Sequence, residues 1–175
     1  MLISIVVILV VVIAGVLAFA ATKPPRFRVE RSARIAAPAD RLHNLTSDFH
    51  NWPQWSPWEK LDPAMKRTHS GAAKGTGAVY EWWGNKKAGE GRMEIIDAPV
   101  PSRVVIKLDF LKPFEAHNTI DFAFIPNGAA TDVTWSMFGP SPFVSKVMGL
   151  FVNMDRMIGR DFEEGLANLK TVAER

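Results

Sequence analysis

Four histidines, His43, His50, His69 and His117, are the first residues to test for reaction chemistry, and none stands in an H-E-x-x-H or comparable metal-ligand spacing. No nucleophilic triad can be assembled around them either. They read as surface or capping groups. Carboxylates offer two further arrangements. Glu81 and Glu94 fall on neighbouring strand-like stretches, and Glu115, His117 and Asp121 alternate onto one face of another. In a dry cavity such a carboxylate, its pKa raised by desolvation, or His117, would serve as general acid or base. On a wet sheet face the same residues are a solvated charge pattern. The chain has no cysteine, which removes thiolate nucleophiles, disulfides and cysteine-ligated zinc or iron–sulfur sites. Gly75-x-Gly77 and Gly89-x-Gly91 are too short for a phosphate loop and read as turns or bulges. No catalytic residue, metal site or cofactor is assigned.

Aromatic and thioether side chains are more informative. Trp52, Trp55 and Trp58 recur at spacings of three beside Pro53 and Pro57. Such a cluster either closes one mouth of a cavity or fills a helix-to-sheet junction. Tyr80 and Trp82 share a strand face and Trp83 takes the other. Met137, Met148, Met154 and Met157 offer an adaptable lining for a greasy ligand, or ordinary core packing. The candidate ligand-binding set is Trp52, Trp55, Trp58, Tyr80, Trp82, Phe110, Phe122, Trp135, Met137, Phe151, Met154 and Met157.

The elements that would position them emerge from periodicity. A strand runs over 27–35, and a short helix begins at Pro38 with Leu42, Leu45 and Phe49 on one side. Pro53 and Pro57 break the next stretch into a turn or a second short helix. Period-two stretches then mark strands near 66–70, 78–83, 91–97, 103–111, 116–125 and 131–138, separated by Gly, Pro and Asn. Apolar spacing of three and four from Val147 to Val172 predicts one long amphipathic terminal helix of about 25 residues. The layout is α+β: a curved antiparallel sheet of six to seven strands gripping the last helix.

Hydrophobicity is concentrated at the amino terminus. Of residues 1–21 all but Ser4 and Gly15 are apolar and none is charged, enough to cross the roughly 30 Å hydrocarbon core once. Ala18-Phe19-Ala20 resembles a signal-peptidase site, but no basic n-region precedes it and the run is too long. The expected organisation is a transmembrane anchor at 1–22, a short tether at 23–26 and one domain at 27–175. Lys23, Arg26, Arg28, Arg31 and Arg34 come after the span, which favours a cytoplasmic domain on a single-pass inner-membrane protein, a periplasmic or exported domain being the alternative. Thr22 to Pro25 reach at most about 14 Å, so the domain is held against the bilayer. A net charge of +3 and the absence of a reading motif argue against nucleic acid as a partner. Oligomeric state is not legible.

Taken together, Ile35-x-Ala37-Pro38, the Trp52-to-Trp58 cluster, Gly75-x-Gly77 leading into Tyr80-x-Trp82, Gly89-x-Gly91 and Gly159-x-Asp161-Phe162-Glu163-x-Gly165-Leu166 make the chain resemble the SRPBCC superfamily. That grouping includes START, birch-pollen-allergen-like and polyketide cyclase/dehydrase or lipid-transport proteins, and the likeness is greatest to bacterial membrane-tethered members. The resemblance implies a helix-grip fold with a deep cavity for sterols, lipids, hormones or polyketides. It implies no single chemistry, since the superfamily holds both enzymes and binders. Three functions are therefore expected in order: a membrane-anchored binder of a hydrophobic small molecule such as a lipid, isoprenoid or polyketide-like compound; a cyclase- or dehydrase-like enzyme using a cavity carboxylate or His117; and an interaction module with no cavity.

Overall fold

A computed structural model describes residues 2–175. Helix α1 (Leu2–Ala21) is followed by strand β1 (Arg26–Ile35), helix α2 (Ala39–Ser47) and two 3₁₀ turns, Phe49–Gln54 and Pro57–Lys60. Six further strands come next: β2 (Lys66–Gly71), β3 (Ala78–Trp83), β4 (Glu90–Asp97), β5 (Arg103–Lys112), β6 (Ala116–Asn127) and β7 (Ala130–Pro140). Helices α3 (Phe143–Met148) and α4 (Met154–Ala173) complete the chain.

The seven strands form one antiparallel sheet in the order β1-β7-β6-β5-β4-β3-β2. Strands β2 to β7 are a meander, and β1 returns along β7, with Val29 opposite Met137 and Arg31 opposite Trp135. Alternation decides which face is inside. Val104, Ile106 and Leu108 of β5, Ile120, Phe122 and Phe124 of β6, and Val133, Trp135 and Met137 of β7 are buried on the concave face. Out-of-phase residues such as Lys107, Thr119 and Asp121 take the convex face. As expected from phase, Tyr80 and Trp82 are buried and Trp83 is exposed.

Helix α4 lies in the concavity. Phe162, Leu166, Leu169 and Ala173, spaced by three and four, form its buried stripe. The Phe162 ring stacks on Trp135 at 4.3 Å. Gly165 permits this approach, because a Cβ there would meet the Trp135 ring. At the other end Arg31 of β1 clamps the helix through Asp155 (3.1 Å) and Glu163 (2.8 Å), passing beside Gly159 where a Cβ would collide with its guanidinium.

The terminal segment corrects the single helix expected from Val147 to Val172. Gly149 ends α3, and Asn153 starts α4 by accepting a hydrogen bond from the Arg156 N–H at 2.9 Å. An N-cap inside an apolar periodicity splits it. Met148, Phe151 and Val152 consequently face outward rather than continuing the buried stripe.

Residues Ile3–Ala21 of α1 are long and apolar enough to cross a membrane. Along its described side chains α1 is exposed except near its end, where Val16 is half-buried and Ala20 fully buried as the helix contacts α3. Four residues separate it from β1.

Leu169→Ala should destabilise the full-length protein by about 2–5 kcal/mol in a chemical-denaturation series, whereas Arg160→Ala, on the exposed side of the same helix, should change stability by about 0.5 kcal/mol or less. Equal effects would mean that α4 is not gripped through this stripe.

Candidate functional site

The sheet and α4 do not meet along their whole length. Toward the carboxyl end of α4 the two are in contact, but at its amino end Met154 and Met157 are about half exposed. Under them lies a cavity of about 460 Å³. Its floor is the concave sheet: Phe27 of β1, Met93 of β4, Leu108 and Phe110 of β5, Ala116, Asn118 and Ile120 of β6, and Met137 of β7. Its roof is Met157, Ile158 and Phe162 of α4, and Trp52 and Trp58 of the 3₁₀ turns form a wall. Exposed members of the lining, Glu115, Pro142, Ser145 and Met154, gather where β6 begins and where β7 runs into α3 and α4, which is the mouth.

Of the sequence-expected set, Trp52, Trp58, Phe110, Met137, Met154 and Met157 line this cavity. Tyr80 and Trp82 line a hollow of about 60 Å³ that shares Trp52, Trp58 and Met93 with it. Trp55, Phe122 and Trp135 are fully buried in one another, with ring centroids 4.8 to 6.1 Å apart, and form solid core beyond the cavity. Phe151 is 77 % exposed in the α3–α4 connection. Met148, read as a possible lining residue, is also outside.

Sequence reasoning missed Phe27, Met93, Leu108, Ile120 and Phe162, although Leu108 and Ile120 are in phase with residues it did select. It also missed Asn118, a polar residue in phase with Ile120, Phe122 and Phe124. That break in an apolar face was a readable signal.

The tryptophan wall is held from behind. The Trp52 indole N–H donates to the Thr46 carbonyl and that of Trp55 to the Leu45 carbonyl, both at 3.1 Å, at the end of α2. These bonds satisfy the polar end of each ring and leave its apolar body for packing.

The ionisable groups of the mouth and of the smaller hollow are committed to one another. Asp109 and His117 are register partners on the convex face, with His117 Nδ1 2.7 Å from Asp109 Oδ1 and Nε2 3.2 Å from Glu115 Oε1. His117 belongs to the cavity's mouth, yet its strand phase opposes that of Asn118 and Ile120. The hydrogen bond to Asp109 raises the His117 pKa above its ordinary value, against a smaller effect of desolvation. Burial pushes the Asp109 carboxyl up, but the bonds from His117 and Lys107 outweigh it and hold the carboxyl below its usual range. In the smaller hollow, buried Glu59 accepts from the Tyr80 hydroxyl at 2.5 Å and from Arg67 Nε at 2.6 Å. Burial first, then the bond to Glu59, raises the Tyr80 phenol far above its ordinary value.

Three of the histidines lie where surface residues lie. His50 bonds Asp48 at 2.8 Å and stacks on His69 at 4.2 Å. His43 is a correction: it is buried edge-on to Phe124, and desolvation lowers its pKa. An amphipathic helix has one inward face, and His43 falls on it between Leu42 and Thr46. Glu81 and Glu94 do not pair; Glu94 bonds Arg92 at 2.8 Å. Among the described residues no group of histidine and carboxylate side chains has metal-binding geometry.

Residues 26–174 match the family model described as "Polyketide cyclase / dehydrase and lipid transport". No curated protein matches the chain. Among solved structures, ginseng major latex-like protein 151 from Panax ginseng superposes with a TM-score of 0.62 at 14% identity, covering 87% of this chain and 100% of that one. An uncharacterised protein from Rhizobium leguminosarum gives 0.61 at 13% identity, covering 86% and 95%. The di-domain ARO/CYC BexL from the BE-7585A biosynthetic pathway gives 0.62 at 19% identity, covering 90% of this chain and 53% of BexL. At these identities the likeness is one of fold, and it is the helix-grip fold.

The Asp109–His117 pair makes a pH prediction. His117, with a raised folded-state pKa, contributes stability that is complete below its unfolded value near 6.5 and lost as pH rises through the folded value. Asp109, with a lowered one, contributes stability that is present above its unfolded value near 3.8 and lost as pH falls through the folded value. The pair is therefore fully formed between those two unfolded values. Histidine titration by NMR should place His117 above 6.5 in the wild type and return it toward 6.5 in Asp109→Asn; a wild-type value at or below 6.5 would show that the pair does not form.

Proposed function

The chain belongs to the polyketide cyclase/dehydrase and lipid-transport family, and on that premise we propose that it is a membrane-anchored binding protein for an apolar small molecule, held between the sheet and α4. One observation carries this reading: a cavity of about 460 Å³ whose lining away from the mouth is aromatic, aliphatic and thioether but for Asn118, while the ionisable side chains among its lining, Glu115 and His117, stand at the mouth and bond each other. That volume lies within the roughly 300–1,000 Å³ range of small-molecule sites. It favours this reading over a fully packed module without a cavity.

The position of the mouth supports the membrane part of the proposal. Pro140, Ser141, Pro142 and Ser145 rim the opening, and α3, which carries Ser145, touches the end of α1. Phe143, Val144, Met148, Phe151, Val152 and Met154 are exposed on this same connection. A contiguous exposed apolar cluster of that kind is a mark of an interaction surface. With α1 in a bilayer and only Thr22 to Pro25 as tether, the cluster would rest in the lipid interface and the mouth would open toward it. Basic residues after the span favour the cytoplasmic side. The cavity residues assigned to binding are Trp52, Trp58, Phe110, Met137, Met154 and Met157, joined by Leu108, Ile120 and Phe162.

Two measurements test the proposal on full-length protein in lipid nanodiscs. Mass spectrometry of the protein from its native host should find a co-purified apolar molecule, and Leu108→Trp, which fills the cavity floor at a stability cost of about 1–3 kcal/mol, should abolish its retention. Val144→Glu with Val152→Glu should slow the loading of a fluorescent lipid from the bilayer while leaving the final occupancy unchanged. Absence of any retained apolar molecule, with no uptake of the fluorescent lipid, would refute the binding function.

A further inference from the structure

Asn118 is the one side chain of the cavity floor whose chemistry does not fit an inert container. It stands on β6 opposite Leu108 of β5, between Ala116 and Ile120 on the concave face, and is 8 % exposed. Its amide makes no hydrogen bond within the protein among the described residues, and it is not sealed in as the ring nitrogens of Trp135 and His43 are, so it stands open to whatever fills the cavity. Beside it on β7 is Gly139, where a Cβ would collide with Asn118 Oδ1. The glycine thus leaves the space that the amide occupies. By contrast the Trp135 indole N–H, also unpaired, is fully buried in solid core where no ligand reaches it.

We infer that the Asn118 amide is the polar anchor of the cavity and selects a neutral amphiphile, one with a hydroxyl or carbonyl group on an otherwise apolar body. This rests on the reading of the cavity as an apolar-ligand site and specifies the ligand's class. The amide offers two N–H donors and a carbonyl acceptor, so it can satisfy an alcohol or a ketone equally. No lysine or arginine is among the lining residues, and the carboxylate among them, Glu115, is at the mouth. His117, also at the mouth, is bonded to Glu115 and Asp109, so a carboxylate or phosphate head would enter without a free counter-charge. A pure hydrocarbon would fill the space but leave the amide unpaired. Asn118 stands two residues before Ile120 on β6, closer to the start of that strand where the mouth lies, so the ligand's apolar end points inward. A volume of about 460 Å³ holds about fifteen water-sized groups, which sets the scale of the molecule.

The test uses full-length protein in nanodiscs with dodecanol, dodecane and dodecanoate, three probes of matched length that differ in the head, and native mass spectrometry to count bound probe. The wild type should retain dodecanol about tenfold better than dodecane, the ratio expected for one net hydrogen bond, and dodecanoate least. Asn118→Leu, close in volume and apolar, should bring dodecanol and dodecane to parity by raising dodecane. In the wild type itself, independent of any variant's folding, the Asn118 side-chain amide resonances should shift on adding dodecanol and not dodecane. Retention of all three probes with no difference between wild type and Asn118→Leu would overturn the anchor and leave the apolar cavity standing. No retention of any probe by either protein would overturn both.

Discussion

Everything about the cavity depends on how closely α4 can approach the sheet. At Gly165 the missing Cβ lets the Trp135 ring rest against the helix backbone, and Phe162 stacks on that ring at 4.3 Å. From there toward Ala173 the helix is packed down, with Leu166 and Leu169 buried. Toward its amino end it is held differently. Arg31, reaching from β1 to Asp155 and Glu163, fixes the helix by ion pairs at its flank rather than by apolar contact beneath it. Such partly exposed pairs contribute little stability each, but they set a distance. The space under Met157 and Ile158 is what that distance leaves. A solid end and a hollow end of one helix are thus consequences of where a glycine and an arginine stand.

The same geometry sorts polar from apolar groups. Each strand sends alternate residues to the two faces, so β5 and β6 can carry Leu108 and Ile120 inside while Asp109 and His117 make a hydrogen-bonded pair outside. Glu59, buried in the smaller hollow, is neutralised by Arg67 and capped by Tyr80, and its two oxygens are both occupied. A buried pair of this sort is costly to break and need not be catalytic. Against that background a lone amide on the apolar face stands out, because alternation alone would have placed an aliphatic residue at position 118.

Much of this was legible in the sequence, and the parts that were not have physical causes. Strand positions and the inward phase of Ile106, Ile120 and Trp135 come from period-two alternation, which the sheet enforces residue by residue. The helix-grip order comes from the same pattern together with the terminal 3.6-residue period. The split between α3 and α4 was hidden because its apolar spacing continues through it; only the capping role of Asn153 stops the helix, and an asparagine in a polar context announces nothing by itself. Trp55, Phe122 and Trp135 were as aromatic and as correctly phased as Phe110 and Met137. Whether a residue on the inner face touches a void or another ring depends on how far α4 is lifted at that point, a three-dimensional quantity that periodicity does not encode. Phe151 was misplaced by the same hidden break, since a residue expected on the gripped stripe became part of an exposed connection.

That connection ties the apolar amino-terminal helix to the cavity. A helix of apolar residues at the amino terminus and a hollow domain after it need have no mechanical relation, yet here α3 both contacts the end of α1 and contributes to the rim of the opening. A ligand leaving water for such a cavity gains the free energy of apolar transfer, about 25 cal/mol per Å² removed, but one leaving a bilayer gains almost none, since both environments are apolar. Retention against a bilayer therefore cannot rest on hydrophobicity and must come from shape and from polar contacts that lipid does not supply. The Asn118 amide is such a contact: a hydroxyl that leaves the hydrated interface of the bilayer would otherwise lose its hydrogen bonds among apolar walls. On the proposed reading, a short tether supplies a high local concentration of apolar molecules at the mouth, and Asn118 supplies the difference that makes one class of them stay.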